Sequence, residues 1–187
     1  MGFLVNSFRF VIAEPNITDT DLKAYWKFNE TSGAIINVSE DSATLGSASN
    51  LTISGDPTYN QTGSPSGLGN SLLLDGSGDF GKAGTSTSQF NFMHNTSAKF
   101  TLTVWLKFPD SVTVNQKLID NHDAADTTVG IDIRTRTASN FRLMISKGSG
   151  NNPVIQGDTS SNFIPTDNAW HFYCFRYDYS LGSNNLN

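Results

Sequence analysis

From Phe100 to Phe108 the chain reads FTLTVWLKF, and apolar and polar positions alternate without a break. Phe100, Leu102, Val104, Leu106 and Phe108 share one face; Thr101, Thr103, Trp105 and Lys107 share the other. Period two in β-branched and aromatic residues predicts a strand buried on one side. A helix would scatter the same apolar residues around its circumference. A second strand is predicted over Trp170 to Asp178 (WHFYCFRYD), where aromatics occupy both faces. Aromatics on both faces imply cover on both sides, and hence a place in the middle of a packed sheet.

The remaining pattern is of short strands separated by turns. Residues 1–21 read as a lead-in strand or arm, with Phe8, Phe10 and Ile12 alternating before Pro15 stops the run. Leu22 to Phe28 (LKAYWKF) is the first predicted strand of the main domain, 22–187, and Asn29 to Gly33 turns the chain. Residues 34–70 read as irregular, with one short strand at Leu51 to Ile53; so long a loop wraps a core or carries function. Leu72 to Leu74 leads into the glycine turn Asp75-Gly76-Ser77-Gly78-Asp79, after which Phe80 begins a returning strand. Ser88 to Phe92 is a short helix or a turn. Lys117 to Asp120, Val129 to Arg134 and Phe141 to Ser146 complete the set. Strands at turn spacing with scarcely a helical period predict an all-β, antiparallel sandwich.

Composition narrows the partners. Charged residues make up only 16% of the chain and aromatics 11%, which fits a packed all-β domain and excludes a disordered one. With 17 acidic against 12 basic residues the net charge is -5. No Lys/Arg cluster tracks a phosphate backbone or an anionic membrane, so nucleic acid and membrane surfaces are excluded as partners. No run approaches the roughly 20 apolar residues that span a bilayer, and no signal peptide is recognised at the N-terminus. The single cysteine, Cys174, permits no intrachain disulfide and reads as a small buried apolar residue. Sequons begin at Asn16, Asn29, Asn37, Asn50, Asn60 and Asn95, which a chain rich in Asn, Ser and Thr also generates by chance.

Four blocks in order, LKAYWKFNETSG, LGNSLLLDGSGDF, KFTLTVWLKF with KLID after it, and AWHFYCFRYD, resemble the laminin-G-like, concanavalin-A-like jelly-roll domains. The resemblance covers roughly residues 22–178. It implies a jelly-roll β-sandwich that serves as a non-catalytic recognition module, most often for carbohydrate, on a secreted or surface-displayed protein. The alternative is a structural or adhesion domain of a virion or cell-surface assembly, with a protein partner. Phe172 stands where the family has a second His. Family members also continue past the "YD" with further strands, so the chain is expected either to lack its last strands and expose an edge beside Trp170 to Asp178, or to complete its sheet otherwise.

The same superfamily includes retaining glucanases, whose chemistry needs two carboxylates about 5 Å apart. On the strand Gly130-Ile131-Asp132-Ile133-Arg134, glycine and arginine stand near where the glutamates belong, so catalysis is not expected. His94, His122 and His171 have no serine elbow beside them, and no Cys/His spacing suits zinc. Calcium is the one cofactor the resemblance brings in, since Asp79 matches an acidic calcium ligand of the pentraxin relatives. Calcium takes six to eight oxygens; Asp75 and Asp79 on the glycine turn, and Asp120 and Asp123 on the loop reaching Asp126, offer carboxylates, or both segments are solvated turns. A sugar needs an aromatic platform with polar side chains beside it. Trp105, on the polar face of its strand, is the leading aromatic, either lining a groove or covered by a crossing loop. Phe80, Asn121 and His122 are the loop-proximal alternatives.

Overall fold

The computed structural model describes residues 22–38, 45, 49–65, 67–84, 87–95, 97–108, 111–121, 130–146 and 155–184. The lead-in 1–21 and its expected strand lie outside the described residues. Among the described residues every strand pairing is antiparallel, so the protein is all-β, with short 3-10 helices at Thr87–Met93 and Tyr179–Asn184. Among the described residues no helix is long and apolar enough to cross a membrane. Contacts divide the chain into two units, the first holding strands β1 to β4 and the second β5 to β10.

In the first unit, β1 (Leu51–Ser54) pairs with β4 (Phe80–Ala83), and β2 (Thr58–Gln61) pairs with β3 (Ser71–Leu73). The glycine turn therefore links strands that pair elsewhere, instead of closing a hairpin between β3 and β4. Gly76 and Gly78, at φ 84° and 83°, supply the left-handed backbone that this turn requires. The segment 34–70, expected to be nearly strandless, contributes β1 and β2. The strand expected over Leu22 to Phe28 does not form; only an isolated bridge joins Trp26 to Asn37. In place of a ladder it has one backbone bond, from the Val38 N–H to the Tyr25 carbonyl (2.8 Å), and help from side chains. The Tyr25 N–H donates to Asn37 Oδ1 (2.8 Å), and Phe28 at φ 58° breaks the extended run. The Trp26 ring N–H reaches the Ser49 carbonyl at 2.9 Å.

The second unit has two sheets. One is β5 (Lys99–Lys107) with β10 (Trp170–Asp178), in unbroken register from Lys99↔Asp178 to Lys107↔Trp170. The other runs β6 (Lys117–Asp120), β7 (Gly130–Thr137), β8 (Asn140–Ser146) and β9 (Ile155–Asp158) in that order. Their apolar faces meet in one core. Leu102, Val104, Leu106, Phe175 and Tyr177 come from the first sheet, and Ile131, Ile133, Phe141, Leu143 and Ile145 from the second. Phe141 is the hub, with ring centroids 5.2 Å from Tyr173 and 5.4 Å from Phe175 in near-perpendicular contacts.

The alternation of β5 is realised: its Phe100 face is partly buried and its Trp105 face exposed. The central, doubly covered position expected for β10 is not. Tyr173, Phe175 and Tyr177 are buried, but Phe172, Cys174 and Arg176 are exposed on the other face. Cys174 is accordingly an exposed thiol and not a core residue. The parity of the strand decides this: positions 172, 174 and 176 point away from the side that Phe141 fills.

Candidate functional site

The exposed face of the β5–β10 sheet is laid out by its register. Side chains alternate across a strand, so every second pair of the ladder points outward. The outward pairs are Lys107–Trp170, Trp105–Phe172, Thr103–Cys174, Thr101–Arg176 and Lys99–Asp178. Trp105 is 41% exposed and Phe172 54% exposed. Their ring centroids are 5.4 Å apart with the planes inclined at 55°. Directly paired residues bring their side chains together, and the contact stabilises the ladder while leaving broad ring surface in water. Trp105 is thus uncovered, and its partner Phe172 is the site residue that sequence reasoning missed. The available signal was the shared parity of Phe172, Cys174 and Arg176 on WHFYCFRYD. The pairing with Trp105, however, is a long-range register that no local pattern encodes. At one end Lys99 Nζ meets Asp178 Oδ2 at 3.1 Å.

Asp120 lies on the face of the second sheet turned away from the Ile131–Ile133 core, opposite Asp132 in the β6–β7 ladder. Lys117 Nζ reaches Asp120 Oδ2 at 2.5 Å and Asp132 Oδ2 at 3.7 Å, while Arg134 Nε stands 3.6 Å from Asp132 Oδ1. Asp132 has no exposed surface. The Lys117 and Arg134 cations stand beside that buried carboxyl, as a buried acid requires. Burial works to lower the Lys117 pKa, but the hydrogen bond to Asp120 and the charges of Asp120 and Asp132 outweigh it and hold the ammonium above its ordinary range. Asn121 is built into the end of the ladder: its N–H donates to the Ile131 carbonyl (3.0 Å), and its Oδ1 accepts from the Ile131 N–H (2.6 Å). His122 and Asp123 lie outside the described residues.

In the glycine turn, Asp75 Oδ1 accepts the Ser77 N–H (2.6 Å) and Asp79 Oδ1 accepts the Asp56 N–H (2.8 Å). The Asp56 contact was not legible in the sequence, because Asp56 stands 23 residues before Asp79 and is brought to it by the β1–β4 pairing. Phe80, on β4, is 53% exposed. A surface cavity of about 340 Å³ in the first unit is lined by Gly33, Thr52, Asp56 and Tyr59, among others.

His171 hydrogen-bonds Asp167 through Nε2 at 2.9 Å, a contact that ties the start of β10 to the preceding loop. No protein-family model matches the chain, and neither a curated protein nor a solved structure matches it.

Proposed function

We propose that this protein is a non-catalytic recognition module that binds carbohydrate on the outward face of the β5–β10 sheet, within a jelly-roll domain of the concanavalin-A-like kind on a secreted or surface-displayed protein. The observation that carries the reading is the exposed Trp105–Phe172 pair. Pyranose rings present apolar C–H faces, which gain dispersion and hydrophobic energy on aromatic surface. The polar neighbours Thr103 and Thr101 supply hydroxyls in the same plane. Against catalysis stands the burial of Asp132, the one acid on the strand where the glucanase comparison would seek a nucleophile; a nucleophile must reach its substrate.

Calcium belongs to the proposal as an accessory at Asp75 and Asp79, away from the stacking surface in sequence and in role. A glycan array probed with the wild type, with Trp105→Ala and with Phe172→Ala tests the reading. Each substitution is expected to weaken binding about 10-fold or more, in keeping with roughly 1.5–3 kcal/mol for one aromatic side chain removed, and to leave the fold intact because both side chains are exposed. Binding by the wild type that neither substitution weakens overturns it. Binding to no glycan by a folded sample favours the structural or adhesion role.

A further inference from the structure

The charges around the aromatic pair specify more than a sugar. The outward positions of β5 and β10 carry Lys99, Lys107 and Arg176 against the single carboxylate of Asp178. Three cations against one acid give this face a charge of +2, on a chain whose net charge is -5. The Lys99–Asp178 ion pair cancels within itself at one end. That leaves Lys107 one outward pair to one side of Trp105–Phe172, and Arg176 two outward pairs to the other side. Among the described residues, neither Lys107 nor Arg176 makes an ion pair.

The spacing also carries information. Lys107 faces Trp170, and Arg176 lies six residues further along β10. At 3.3–3.4 Å per residue the two cations are roughly 20 Å apart. A polymer with several anionic groups on every ring would meet more charge than this face can neutralise. A neutral polymer would leave both cations without a role. We propose that the face takes a polysaccharide in which neutral sugars alternate with uronic acids. Its rings lie on Trp105 and Phe172, and its carboxylates reach the Lys107 ammonium and the Arg176 guanidinium, the latter suited to bidentate pairing with a carboxylate. The inference rests on the carbohydrate reading of the same site and adds the chemical class of the ligand.

Cys174 provides the test. It is an exposed thiol on this face, two residues from Phe172 and two from Arg176, so a chain bound across the face shields it. The measurement is the rate of Cys174 alkylation by iodoacetamide, an uncharged reagent, followed by intact mass. Hyaluronan oligosaccharides, with alternating glucuronate, are the acidic probe; chitooligosaccharides are the neutral counterpart and heparin the densely sulfated one. Hyaluronan is expected to slow alkylation several-fold, with little effect from the other two. The doubly substituted Lys107→Ala, Arg176→Ala protein is expected to lose that protection, and the ratio with and without probe corrects for any change in the reactivity of the thiol itself. Equal protection by hyaluronan and chitooligosaccharide, retained in the double variant, overturns the inference and leaves the carbohydrate reading standing. Stronger protection by heparin than by hyaluronan overturns the choice of a sparsely charged ligand. Protection by none of the three overturns the inference and counts against the carbohydrate reading as well.

Discussion

Asn37 shows how much of the first unit depends on single polar side chains. Its Oδ1 accepts the Tyr25 N–H, its Nδ2 donates to Ser49 Oγ at 2.7 Å, and its own N–H donates to Asn50 Oδ1 at 2.8 Å. Asn37 is 9% exposed and Ser49 is fully buried. Removing the amide takes the acceptor from the part-buried Tyr25 N–H and one hydrogen bond from the buried Ser49 hydroxyl, and a buried polar group that loses its partner costs about 1–3 kcal/mol. Asn37→Ala is therefore expected to lower the free energy of unfolding by that amount, read as a shift in the urea midpoint at unchanged slope. Asn50→Ala, which removes only the acceptor of one backbone N–H, should cost less. The same geometry bears on the sequon at Asn37. Its amide nitrogen, where a glycan would attach, is already donating inside the unit, so folded protein from a glycosylating host is expected to carry Asn37 unmodified by peptide mapping.

Edge strand β9 depends on a pair of charges. Arg142 and Asp158 are partners across the β8–β9 ladder, and the guanidinium meets both carboxylate oxygens at 2.7 and 2.8 Å. That hydrogen bonding outweighs burial and holds the Asp158 carboxyl below its ordinary range. A carboxylate with a depressed folded pKa contributes stability above the unfolded value, near about 4, and loses it as the pH falls through the folded value. The protection of β9 amides against hydrogen exchange, taken relative to the intrinsic rate at each pH, is thus expected to fall below about pH 4. Asp158→Asn should speed exchange already at neutral pH and flatten that acid limb, by about 1 kcal/mol or less because the pair is partly exposed. An acid loss of protection unchanged in Asp158→Asn would assign the effect to other groups. Neither β9 nor its pairing was legible in the sequence, since IQGD is four residues with a glycine and no alternation. The long strands were legible: the 9 residues of β5 match the predicted run to within one position and those of β10 match it fully, because period-two patterning persists over that length. The Leu22–Phe28 pattern was equally regular and failed, since Asn37 and Ser49 offered its polar groups partners no strand template contains. Half of the exposed aromatic pair, Trp105, was visible as an aromatic on a polar face; Phe172 needed the register.

At the scale of the whole molecule, the proposed binding face and the chain carry opposite charge. An anionic polymer approaching a protein of net charge -5 is repelled at long range and attracted only close to Lys107 and Arg176. Salt separates these two effects, because the Debye length shortens from about 30 Å at 0.01 M to about 8 Å at 0.15 M and 3 Å at 1 M. The long-range repulsion is screened first, while contact pairs between a guanidinium or ammonium and a carboxylate persist until the screening length approaches the contact distance. Affinity for a uronate-bearing polymer is therefore expected to rise from 0.01 M salt to a maximum near physiological ionic strength and to fall again towards 1 M. A neutral glycan that binds the Trp105–Phe172 surface should show no such maximum, since burial of apolar surface does not depend on screening. Titration calorimetry across that salt series distinguishes the cases. A monotonic fall for the acidic polymer would mean that local cations dominate at every distance. A flat curve for both ligands would mean that the charges on the face take no part in binding, and that Lys107 and Arg176 serve only to keep the exposed sheet soluble.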